Sequence, residues 1–162
     1  LGHPIYALTT ALVALLLSAG LGSLSTAHVP LALAPALASR RAQYLVVLLT
    51  LLAVALGPVL GRAIVLPFEG RVLFTIALLV PVGALMGSLA PIGVKLVGAR
   101  ASSILPWCWG LNGFASVAGT AIGTFVAMSF GFSATLLLAG AAYLVAAMTV
   151  PPYEGEPPPS SR

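Results

Sequence analysis

Five stretches of this chain are each long and apolar enough to cross a bilayer, and the charged residues fall almost entirely between them. The stretches run from about Ile5 to Leu24, Gln43 to Leu60, Val72 to Ala90, Trp107 to Ser129 and Phe132 to Val150. A helix needs about 20 mainly apolar residues to span the hydrocarbon core. Only 6% of the 162 residues are charged, whereas soluble domains average about 25%. A chain so poor in charge has too little polar surface to face water on all sides. The expected fold class is therefore all-α, a polytopic transmembrane helix bundle of about five spanning helices over residues 1–150. The remainder, "PPYEGEPPPSSR" at 151–162, is too Pro-rich and polar to form a core and reads as a disordered tail.

The breaks between spans carry the topology. Only "SFGFS" separates the last two, which predicts an antiparallel hairpin. "HVPLALAPALAS" is apolar but interrupted by Pro30 and Pro35, and reads as an interfacial or re-entrant piece. Pro81 removes a backbone donor inside the third span and predicts a kink. The cations flank apolar runs, with Arg40, Arg41, Lys95, Arg100 and Arg162 on one side and Arg62 and Arg71 on the other. By the positive-inside rule the amino terminus is expected outside and the carboxyl terminus in the cytoplasm of a bacterial inner membrane. Nucleic-acid binding calls for clustered cations on a polar face, so no nucleic-acid partner is expected despite the net charge of +4. The start "LGHPIYALTT" has no basic n-region and does not read as a signal peptide. The chain is expected to belong to a longer protein or to stand alone as a relative of one. Internal repeats of the kind that build transporters are not evident.

Packing chemistry concentrates in the fourth span. Helices in lipid associate through small residues that let backbones approach, and through interhelical hydrogen bonds. Ala115, Gly119 and Gly123 make two small-xxx-small steps, the second a GxxxG, "GTAIG". Asn112, Ser116, Thr120 and Thr124 recur every four residues beside them, which places them along one ridge. This face is expected inside the bundle, either as a packing seam or as the wall of a polar path for a solute. Gly83 and Gly87 offer a similar helix-packing face on the third span.

"PWCWGLNG" at 106–113 holds both tryptophans, the single cysteine and the single asparagine of the chain. Pro106 suits a first helical turn, where its missing N–H is harmless. Trp107 and Trp109 then sit at the depth amphipathic rings prefer, and Asn112 lies about a turn deeper. The stretch reads as an anchored helix entrance with an inward asparagine. A ligand contact through Trp109 and Asn112 is the alternative. Cys108 has no neighbouring His or carboxylate to lower its thiol pKa. His3 and His28 lack metal-ligand partners at helical spacing, there is no aspartate, and the three glutamates lie outside the spans. No metal, cofactor, carboxylate proton relay or catalytic residue is expected.

Four ordered motifs together resemble the membrane-spanning part of bacterial spermidine synthase-like membrane proteins. These are "LGHPIYAL" leading to "GLGS" (Leu1–Leu8, Gly20–Ser23), "MGSLAPIG" (Met86–Gly93), "PWCWGLNGFASVAG" (Pro106–Gly119) and "FGFS" (Phe130–Ser133). The resemblance covers residues 1 to about 148. Leu89 stands where that family usually has a first proline, leaving only Pro91. The resemblance implies a non-catalytic module that anchors and packs against a synthase-like domain or partner subunit. A parent protein would carry the aminopropyltransferase-type domain, of which no residue is present here. A role in a small-solute (amine) transporter, or as a structural subunit of a larger membrane complex, is the alternative.

Overall fold

Each apolar run becomes one helix, because in hydrocarbon every backbone N–H and C=O has to bond within its own segment. The computed structural model describes residues 4–63 and 65–150, the side chain of residue 56 excepted. Among them the chain is all-helical, without strands. It comprises α1 (Pro4–Leu24), α2 (Ala34–Ala63), α3 (Phe68–Arg100), α4 (Leu105–Phe130) and α5 (Phe132–Thr149), with short 3-10 turns at Leu31–Leu33 and Ser102–Ile104. All five helices are long and apolar enough to cross a membrane. The sequence reading of the tail at 151–162, and that of His3, fall outside the described residues.

Two helices are longer than hydropathy indicated. α2 begins at Ala34 rather than Gln43, which turns most of the supposed re-entrant piece into helix. Pro35 falls in the first turn, where no intrahelical N–H bond is lost. At about 1.5 Å per residue, α2 and α3 reach some 45 and 50 Å against a hydrocarbon thickness of about 30 Å, so their ends emerge into the headgroups. α3 also runs unbroken through Pro81 and Pro91. "MGSLAPIG" thus lies inside a helix rather than at a helix end, consistent with a single remaining proline.

The helices pack in the order α1–α3–α2–α5–α4, with α1 and α4 at opposite flanks. α1 and α3 are parallel and approach through small residues. A Cβ on Gly22 would fall on the Ala84 carbonyl group, one on Gly83 on the Ser18 hydroxyl, and one on Gly87 on the Ala19 backbone. Ser18 is buried in this seam, and its hydroxyl donates to the Ala14 carbonyl at 2.6 Å, which leaves no unpaired polar group there. At the open end of the pair the rings of Tyr6 and Phe68 meet edge to face, with centroids 5.6 Å apart.

On its other side α3 meets α2. One stripe of α2, formed by Ala34, Ala38, Ala42, Leu45, Leu49 and Ala53, is buried; the three- and four-residue spacings keep it on one face. Leu45, Leu49 and Val82 form a core joined by Leu136, Ala139 and Tyr143 of α5. Two hydrogen bonds tie α2 to α5 at opposite ends. Ser133 Oγ donates to the Ala53 carbonyl at 2.8 Å, and Ser39 Oγ to the Ala147 carbonyl at 3.5 Å.

Gly131 makes the α4–α5 turn with φ 85° and ψ 172°, a region open essentially to glycine alone. Its N–H donates to the Ala127 carbonyl at 3.0 Å, closing α4. Gly131→Ala is therefore expected to destabilise the chain by about 1–3 kcal/mol, read as an earlier midpoint in a detergent denaturation series. An unchanged midpoint would show that the turn relaxes freely.

Candidate functional site: the uncovered face of α4

α4 starts as the sequence indicates. Pro106 occupies its first turn, and Trp107 and Trp109 are exposed. Leu105 rests beside Gly98 at the end of α3, where a Cβ on Gly98 would lie 3.7 Å from the Leu105 side chain. From there to the Gly131 turn, α4 has no buried residue. It leans on α5, and Ala118, Gly123, Val126 and Ala127 are half-buried.

The expectation that the small and polar face of α4 lies inside the bundle is not met. Asn112, Ala115, Ser116, Gly119, Thr120 and Thr124 are all exposed and Gly123 is half-buried. A Cβ on Gly119 or Gly123 would meet nothing within 4 Å. The physical reason is that small-residue spacing makes a helix able to pack closely without naming its partner. Within one chain, the close approach is made by α1 and α3, where Gly83 and Gly87 lie. Gly22, which makes a close backbone approach to α3, lies in the "GLGS" motif but was not singled out as a packing residue from the sequence.

The hydroxyls on α4 do not require a partner. Ser116 Oγ donates to the Asn112 carbonyl and Thr120 Oγ1 to the Ser116 carbonyl, both at 2.8 Å. This back-bonding satisfies a hydroxyl within its own helix. The Asn112 amide makes no hydrogen bond to a described residue, and its side chain is exposed. An unpaired amide in hydrocarbon is costly. Cys108 is a free, half-buried thiol.

No group of three or more His, Cys, Asp or Glu among the described residues lies close enough to hold a metal ion. The grooves between helices are lined mainly by apolar side chains, for example Leu49, Leu52, Leu78, Val82 and Leu136 where α2, α3 and α5 meet. Such a groove suits an acyl chain or another apolar helix.

Comparison with family models, with curated proteins and with solved structures gives no match to this chain.

Proposed function

We propose that the chain is a non-catalytic integral membrane module in which α1, α3, α2 and α5 form a self-sufficient body and α4 is a docking helix. Its partner is a membrane subunit or a domain fused in a longer protein; the motif resemblance favours one of the spermidine synthase-like kind. The observation that carries this reading is the open α4 face, where Ala115 and Gly119 leave room for a backbone and Asn112 offers an unpaired amide. An interhelical hydrogen bond from such a group contributes about 0.6–2 kcal/mol in a membrane.

The orientation that fits the charges puts Arg40, Arg41, Lys95 and Arg100 at the cytoplasmic end. A solute path is less well supported, because the polar row of α4 lines the outside of this chain. A second chain would have to close any such path.

Gly119→Leu tests the docking role, since it fills the open face without touching the body. With a photo-reactive residue at Val117, the chain is expected to crosslink to a co-expressed synthase-like domain in native membranes. Gly119→Leu should cut that crosslink about tenfold, roughly the loss of one well-packed seam, while leaving the thermal midpoint unchanged. A midpoint that falls with the crosslink would place the face inside the chain's own fold. Spermidine formation by the purified chain alone would overturn the non-catalytic reading.

A further inference from the structure

We propose that the cleft between the α1–α2 connection and the start of α2 is a binding site for an anionic phospholipid. It is a groove of about 430 Å³ lined by Ser25, His28, Val29, Pro30, Leu37 and Arg40, among others. Apolar Val29, Pro30 and Leu37 line it together with polar Ser25 and His28 and cationic Arg40, a mixture that matches the acyl chain and headgroup of a phospholipid. It lies where α1 ends and α2 enters the bilayer, at headgroup level for helices of these lengths.

Four cations gather at this end of the bundle, Arg40, Arg41, Lys95 and Arg100, and two of them are occupied in shaping the groove. Lys95 Nζ donates to the Val29 carbonyl at 2.8 Å and to that of Ala27 at 3.4 Å. These bonds pin the connection to α3. Arg41 Nη1 donates to Ser25 Oγ at 3.0 Å, and Ser25 Oγ itself donates to the Gly22 carbonyl at 2.6 Å. The groove wall is thus held by charged side chains on both α2 and α3. Arg40 lines the groove and is left exposed, with no hydrogen bond to any described residue. The one carboxylate among the described residues, Glu69, is at the opposite end, in the first turn of α3. A guanidinium matches a phosphate bidentately, and basic pockets between membrane helices are suited to anionic headgroups. Charge complementarity therefore selects an anionic lipid over a zwitterionic one.

The site rests on the embedding of the five helices in a membrane but not on the docking role of α4. The test uses the full chain, delipidated and exposed to micelles containing equimolar phosphatidylglycerol and phosphatidylcholine, with retained lipid measured by mass spectrometry. Wild type is expected to retain phosphatidylglycerol preferentially. Arg40→Gln should lower that preference about fivefold, the weight of one cation near an anionic surface. Arg100→Gln, at the same end but outside the groove, should leave it within error. Equal losses in the two variants, or no preference in wild type, would overturn the site in favour of a diffuse positive end. Displacement of the lipid by inorganic phosphate would overturn the lipid as occupant and leave a bare-anion site. Failure of the embedding reading is separately visible, as release of the chain from membranes by alkaline carbonate.

Discussion

Gly22→Ala is expected to lower the stability of the purified chain by about 1–3 kcal/mol, the usual penalty for overpacking a closed contact. Gly20→Ala, two residues away on the same helix, is expected to be neutral or mildly stabilising. The contrast follows from what a single methyl meets. At Gly20 there is nothing within 4 Å, whereas at Gly22 the new carbon would overlap the Ala84 carbonyl group. A flexible side chain could swing away from such a contact, but backbone in the middle of α3 cannot. α1 therefore has to withdraw, and Ser18 and Ala19 lose their fit against Gly83 and Gly87. Helical propensity works the other way, since alanine is preferred over glycine by roughly 0.5–1 kcal/mol. Detergent titration of the two variants side by side gives the result. Equal midpoints would mean that α1 and α3 do not touch at Gly22.

Leu45→Ala tests the other seam. Leu45 is fully buried, at 0% exposure, between α2, α3 and α5. In a water-soluble protein a buried Leu→Ala change costs about 2–5 kcal/mol, combining a transfer term with a cavity term. Here the unfolded helices remain in lipid, whose tails are as apolar as leucine. The transfer term largely disappears, and the expected loss is the cavity part, about 1–3 kcal/mol. Val47→Ala, on the exposed side of α2, should change almost nothing. A loss at Leu45 as large as the upper soluble values would indicate that the core is hydrated on unfolding.

The number and type of elements were legible because hydrocarbon length and backbone satisfaction leave few choices for runs such as Phe132 to Val150. The hairpin at Gly131 was legible for a similar local reason. Boundaries were less so. Pro30 and Pro35 break the hydropathy pattern, yet a proline in a first turn breaks nothing in the helix, so α2 started earlier than expected. Pro91 misled differently: it lies inside α3, which continues through it to Arg100. The candidate site was legible in its residues but not in its location. Small residues four apart occur in α1, α3 and α4 alike, and spacing on one helix carries no record of which other helix it meets. The pairing of Ser18, Ala19 and Gly22 with Gly83, Gly87 and Ala84 emerges only when three-dimensional order is known. The groove at Arg40 was missed because its lining comes from the connection read as interfacial and from a turn of α2 not recognised as helix.

The packing order α1–α3–α2–α5–α4 has a bearing on how the protein is made. Consecutive elements are usually neighbours in space, but α1 and α2 share no extended face. When only α1 and α2 of this bundle have reached the bilayer, neither the α1–α3 nor the α2–α3 seam can yet exist. Ser18 and Gly22 then wait in lipid until the stretch around Gly83 and Gly87 arrives. α3 packs against α1 on one side and α2 on the other, so both seams are expected to form only once α3 arrives. A chain cut in the loop at Leu66–Pro67 is expected to leave its first two spans as independent helices, open to whatever partner reaches them first.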